Sequence, residues 1–568
     1  MLLQCSRAMS IQCSALVASF VVAGALAGAM VCRHAADEAS AQTAASIDAQ
    51  VLEDTAGGRT GHFLVVLVPQ ADTRQAAATA RNFEARGHSV VEALRWEAKA
   101  SQPAVRAALD ALGARYRTYW IVNAFAVEGS RAVVEAMAAR PDVAAIESDR
   151  AFQVDLERPT TGTTTAAALA PSAIEWNVSW INAPAMWAQG YTGQGQTLAN
   201  ADTGVRWEHP ALKSHYRGWN GSTADHNYNW WDAIHSDISG NGSNPCGFSS
   251  LVPCDDNGHG THTTGTAVGD DGAGNQVGVA PGAAWIACRN MDENVGRPST
   301  YIECMQFFMA PTDLNGQNPD PNRRPHAVGN SYICPSVELC EAHSLQTALE
   351  NLRAAGVFMA ASAGNSGPAC STIDSPPALE ASAITVGATG FQTDDIASYS
   401  SRGPVTVDGS NRRKPDLVAP GSGVRSSYPP EGYATLSGTS MASPHVAGAV
   451  LLLWSAVPNL SRAVDYTEFV LGQTAVHLTS DQGCGGDSSS QVPNNVYGQG
   501  RIDVLAAYGY ASQSAPVGGI AELPELGIDP MADSGKAAIP CTVVVAAVVV
   551  GVVVLSASGW YARRRWLG

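Results

Sequence analysis

Basic residues are scarce in this chain: 34 Lys+Arg stand against 51 Asp+Glu over 568 residues, a formal net charge of −17. Such a balance argues against a nucleic-acid binder and fits a soluble secreted protein. Charge of either sign is thin as well, at 15% of residues, and glycine is plentiful at 55, the composition of a globular chain. No two of the twelve cysteines stand in CxxC spacing and no His/Cys cluster completes a zinc set, so metal binding is the weaker explanation for them. Eight fall between residues 246 and 484, and an even number in an exported chain suggests disulfides. Short loops favour Cys246–Cys254, Cys288–Cys304 and Cys334–Cys340, which leaves Cys370–Cys484.

What the chain does have is a serine placed as a nucleophile would be. Gly438-Thr439-Ser440 precedes an apolar run from Met441 to Trp454, so Ser440 falls where the unpaired N–H groups of a helix entrance converge. A serine hydroxyl is a poor nucleophile near neutral pH and needs a histidine to take its proton and a carboxylate to orient that histidine. Upstream, Thr197 to Val205 reads as a short strand ending on Asp202 and a glycine turn, and Asn257-Gly258-His259-Gly260 sets a histidine before a small-residue helix pattern. Either residue alone would pass for a turn or cap residue; the Asp, His, Ser series is what raises them together.

Asp202-Thr203-Gly204, Asn257-Gly258-His259-Gly260-Thr261-His262 and Gly438-Thr439-Ser440-Met441-Ala442-Ser443-Pro444 resemble the three signatures of the subtilisin-like serine peptidases, the subtilases. The aromatic segment Tyr216 to Asp232 and Asn494-Asn495-Val496-Tyr497-Gly498-Gln499-Gly500-Arg501-Ile502-Asp503 are similar to the bacillopeptidase F-like branch. The resemblance runs from about Trp176 to Tyr508. It implies a mainly parallel α/β sheet flanked by helices, a serine endopeptidase acting on proteins and peptides, and no cofactor for the chemistry. Asp202, His259 and Ser440 become the expected triad, and Asn365, in Ala361-Ser362-Ala363-Gly364-Asn365, the expected oxyanion donor. Ser331-Tyr332-Ile333 and Ser362-Ala363-Gly364 become the expected substrate-binding segments. Ile333 stands where many relatives have glycine and would narrow or reshape the pocket beneath the scissile bond. The acid-acting sedolisin type is disfavoured by His259 and Asn365. Gly269 to Asn275, in a region where many relatives bind calcium, reads as a turn first and as a calcium loop second. The Tyr216 to Asp232 run reads as a surface loop pinned onto the core by its tryptophans, ahead of a substrate-contact role.

Around this domain, residues 1–40 read as a signal peptide and its flank, and the stretch up to Gly61 as small, polar and disordered. From His62 a compact α+β module is predicted: strand Phe63 to Val68, helix Arg74 to Arg86, strand Tyr119 to Val127, helix Arg131 to Ala139 and strand Val143 to Glu147. It resembles the inhibitory propeptide of the family, taken as residues 41–155 and implied to block the cleft with its C-terminal tail. Residues 156–171 read as a linker, 172–510 as the catalytic domain and 511–540 as a tether. Cys541 to Gly559 is uncharged, valine-rich and followed by Arg563-Arg564-Arg565, which reads as a C-terminal transmembrane or sorting segment with the catalytic domain outside.

Overall fold

The computed structural model describes residues 45–157, 159, 174–334 and 343–514. The signal peptide, most of the linker, Cys340, residues 515–540 of the expected tether and the C-terminal apolar segment lie outside the described residues, while residues 511–514 are the end of a helix, Val504–Ser514. Among the described residues no helix is long and apolar enough to cross a membrane.

The first module starts earlier than its composition suggests. Strand β1 (Ser46–Ile47) and helix α1 (Ala49–Asp54) precede β2 (Thr60–Leu67), so residues 45–60 are ordered, where disorder up to Gly61 was expected. Asp48 caps α1 by accepting from Gln50 N at 2.9 Å, and Val51 is buried in the module's own core beside Phe63, Phe125 and Val134. One apolar residue and one cap suffice to fix so short an element when a sheet is there to receive it. Next come α2 (Thr73–Ala78) and α3 (Phe83–Ala111), where a single helix from Arg74 to Arg86 was expected. Two caps explain the split: Asp72 accepts from Gln75 N and Asn82 from Ala85 N. The predicted strand Tyr119 to Val127 is likewise two strands, β3 (Arg115–Tyr119) and β4 (Ala124–Ser130), followed by α4 (Arg131–Ala138) and β5 (Val143–Ser148). The five strands form one sheet in the order β1-β5-β2-β4-β3.

Beyond β6 (Phe152–Gln153) the second region is built on β7 (Thr197–Asp202), β8 (Trp230–Asp232), β9 (Ala284–Arg289), β11 (Ala327–Asn330), β12 (Phe358–Ser362), β13 (Ile384–Thr389) and β14 (Leu417–Pro420). These form a seven-stranded sheet in the order β14-β13-β12-β11-β7-β9-β8. Every pairing is parallel, and β7, β11, β12, β13 and β14 are buried along their whole length, as a sheet covered on both faces requires. The predicted aromatic loop is anchored more firmly than tryptophan pins alone would do, because Trp230–Asp232 joins the sheet as its edge strand. Arg289, fully buried, fixes it there, donating to Asp232 at 2.9 and 2.7 Å and to Asp256 at 3.0 Å.

Helix α5 (His259–Val268) and helix α8 (Thr439–Ala456) pass through the core beside this sheet, α5 buried throughout. On the sheet's other side α6 (Pro298–Met309) and α7 (His343–Ala354) meet the first module. Leu64, Val90, Leu94 and Ile121 share one apolar cluster with Ile302, Met305, Leu349 and Leu352. Polar contacts set the register: Asp149 accepts from Ser299 N at 2.8 Å at the entrance of α6, and Gln306 accepts from Trp120 N at 2.6 Å. Disulfides join Cys246 to Cys254, Cys288 to Cys304 and Cys370 to Cys484, as predicted.

Candidate active site

Three of the predicted residues are delivered by the ends of elements. Asp202 is the last residue of β7, at the carboxyl end of the sheet where the chain runs to β9 on one side and β11 on the other, a topological switch point. His259 opens α5 and Ser440 lies in the first turn of α8. Close approach demands small residues between them: a Cβ on Gly260 would lie 2.0 Å from Gly204 O and 3.0 Å from Asp202 Cβ. Gly258, at φ 103°, takes a left-handed turn that places the imidazole.

His259 Nδ1 donates to Asp202 Oδ1 at 2.8 Å, and both side chains are fully buried. Burial alone would lower the His259 pKa, but the Asp202 charge and hydrogen bond, with a second carboxylate, raise it to about 10. That second carboxylate was not anticipated. His259 Nε2 donates to Glu157 Oε2 at 2.9 Å, and Glu157 Oε1 accepts from Asn365 Nδ2 at 2.8 Å. Ser440 Oγ donates to Ser331 O at 2.9 Å.

The expected oxyanion residue is oriented from behind. Asn365 Oδ1 accepts from Thr439 N and from Thr439 Oγ1, both at 2.9 Å, which turns its amide nitrogen toward the cleft. Ser331, Tyr332 and Ile333 follow the end of β11, and Ser362, Ala363 and Gly364 lie at and after the end of β12. Ser331 Oγ donates to Ser440 O at 3.0 Å. The Tyr332 ring points away into the core, stacked on Tyr301 with centroids 4.4 Å apart. Ile333 reaches across to the second segment: a Cβ on Gly364 would lie 3.3 Å from Ile333 Cδ1.

A stretch of this same chain crosses the site. Phe152–Gln153 pairs antiparallel with β10 (Val295–Gly296), Val154 N donates to Asn294 O at 2.7 Å, and Phe152, Val154 and Leu156 are buried. Among the described residues this tail makes no backbone hydrogen bond to Ser331–Ile333, the segment predicted to receive an extended peptide; it uses β10 instead. Asp255 is the other residue that sequence reasoning passed over. It accepts from Thr203 Oγ1 at 2.8 Å, Gly258 N at 2.7 Å and Thr261 N at 2.8 Å, tying the turn after Asp202 to the entrance of α5. An aspartate two residues before Asn257-Gly258 was the available signal.

The suggested calcium loop is closed on itself. Asp271 accepts from Ala273 N, Asn275 N, Asn275 Nδ2 and Tyr433 OH, and Asp270 from Gly272 N. Among the described residues no group of three or more His, Cys, Asp or Glu side chains is arranged to hold a metal ion.

Residues 193–500 match the model of the subtilase family. The chain is 34% identical to bacillopeptidase F of Bacillus subtilis (strain 168) over 455 residues, 78% of this chain but 30% of that relative's length. It is 31% identical to subtilisin BL of Lederbergia lenta over 340 residues, 59% of this chain and 98% of the relative. A sheet of seven parallel strands, with Asp202, His259 and Ser440 each at the end or beginning of its element, and these likenesses agree: the chain belongs to the subtilase family.

Proposed function

We propose that the chain is a serine endopeptidase, exported and made as a self-processed zymogen, that hydrolyses peptide bonds in proteins. The observation that carries this reading is the position of the tail: a peptide of this chain lies antiparallel on β10 and reaches His259 and Asn365 through the side chain of Glu157, in the cleft where a substrate would meet the groups that act on it.

In the proposed reaction Ser440 Oγ attacks the carbonyl carbon of the scissile bond while its proton passes to His259 Nε2. Asp202, bonded to Nδ1, holds the ring in the required tautomer and stabilises the imidazolium as it forms. The oxyanion accepts from Asn365 Nδ2 and from the N–H of Ser440, one of the unpaired donors at the start of α8. His259 then returns the proton to the departing amine, and water deacylates Ser440 by the same route in reverse. The segments Ser331–Ile333 and Ser362–Gly364 flank the bond, with Ile333 limiting the space beneath it. The first module acts as an intramolecular inhibitor through its tail. The disulfides among the described residues suit an oxidising compartment outside the cytoplasm, and the sequence of residues 541–560 supports anchoring at the cell envelope.

Full-length wild type should lose its first module and cleave casein near pH 8, whereas Ser440→Ala should do neither, as read by mass, N-terminal sequence and caseinolysis. Membrane fractions should release the full-length chain to detergent and not to salt. A folded wild type that stays intact and inert would instead indicate a polypeptide-binding scaffold.

A further inference from the structure

Glu157 enters the site by its side chain and not by its backbone. Leu156 N–H turns back onto Val154 O at 3.1 Å, an i to i−2 bond of the γ-turn kind that ends the extended run from Phe152. The carboxylate that follows engages both groups that the proposed chemistry needs, Asn365 Nδ2 at 2.8 Å and His259 Nε2 at 2.9 Å. Both ring nitrogens of His259 thus face carboxylate oxygens, an arrangement satisfied by a proton on each, which is the imidazolium. In that form Nε2 has no lone pair for the Ser440 proton, and Ser440 donates to Ser331 O instead. Gly438 makes the room: a Cβ there would lie 1.8 Å from Glu157 Oε1.

We propose that Glu157 is a charge latch on the zymogen, its carboxylate holding His259 protonated and filling the oxyanion position, so that the site stays idle until this one side chain leaves. The proposal rests on the triad assignment made above. A peptide carbonyl in the same cleft could accept from Asn365 but would not hold an imidazolium, so the latch belongs to the carboxylate and not to occupancy of the cleft as such.

Burial would raise the Glu157 carboxyl, yet the hydrogen bond and charge of His259, helped by the backbone N–H of Glu157 itself and the Ser440 hydroxyl, bring it below its ordinary value. The other ionisable groups around the pair are Asp202 beyond the ring, His262, which burial keeps neutral, and Tyr399, whose hydroxyl burial holds protonated. Because the latched Glu157 is lowered, its contribution is complete above the ordinary carboxylate pKa and is lost as pH falls through the lowered value. Because the latched His259 is raised, its contribution is complete below the ordinary histidine pKa and is lost as pH rises through about 10. The latch is therefore closed across neutral pH and opens at either extreme.

The test compares full-length Ser440→Ala with full-length Ser440→Ala/Glu157→Gln by NMR titration of the low-field Nδ1 proton of His259. The midpoint should lie near 10 with Glu157 present. It should fall by about one unit or more in the Glu157→Gln variant, whose amide is neutral, the scale of one charge-assisted hydrogen bond. With Ser440 intact, full-length Glu157→Gln should shed its first module at pH 8 about tenfold faster than wild type or more. The remaining resonances report whether each variant is folded. Equal midpoints and equal processing rates overturn the latch and leave the triad standing, whereas processing that persists in Ser440→Ala overturns the triad reading itself.

Discussion

Asn365 shows how much of a residue's role lies in what holds it. Its carbonyl oxygen is taken by Thr439, so the amide nitrogen points into the cleft without further adjustment, and a donor oriented in advance needs no reorganisation when charge develops on the substrate oxygen. Asn365→Ala should lower turnover by about 10²–10³ with KM little changed, because the lost hydrogen bond is strongest in the transition state; steady-state kinetics of the processed enzyme measure this. The motifs around Asp202, His259, Ser440 and Asn365, residues whose roles are those proposed above, were legible in the sequence because each is contiguous and its small neighbours have a steric reason to be there. Glu157 was not, since its partners His259 and Asn365 lie 102 and 208 residues away and a lone glutamate in a linker carries no local signal.

Elements depend on such long-range contacts too. The edge strand β8 is held by the buried ion pair of Arg289 with Asp232, and the same guanidinium reaches Asp256, three residues before His259. Burial raises the Asp256 carboxyl to about 7 despite the opposing charge of Arg289. Arg289→Met would leave two carboxylates buried with no counter-charge. It should therefore destabilise the fold by about 3–5 kcal/mol, measured by denaturant unfolding in the Ser440→Ala background, where self-cleavage does not interfere. Strand β7 was foreseen, as a short run ending on Asp202 and a glycine turn. The 29-residue helix α3 was not: the expected helix stopped at Arg86, just before Gly87, and the observed one runs on through Pro103. Its length is supported by packing against the second region through Val90, Val91 and Leu94.

For the whole molecule, the two buried histidines next to the site set the acid limit. His262 Nε2 donates to Val424 O and Ala434 O, His445 Nδ1 to Met441 O, and burial lowers them to about 3 and about 4. A histidine lowered in the folded state contributes stability that is complete above its unfolded value and is lost as pH falls toward the folded one. Thermal unfolding of Ser440→Ala should accordingly show Tm falling as pH drops below about 6.5 and onward toward 4, and His262→Gln should flatten that dependence. The sequence by itself determined the family and the parallel α/β domain and set out the expected catalytic residues, because these follow from local steric motifs and residue periodicity; it favoured Cys370–Cys484 without deciding among the possible pairings, and the fold decided it. Only the tertiary structure decided that β8 joins the sheet, that the first module shares an apolar core with α6 and α7, and that Glu157 lies between His259 and Asn365. Each of these depends on groups far apart in the chain meeting in space, and the free energy of such a meeting is written in no single stretch of residues.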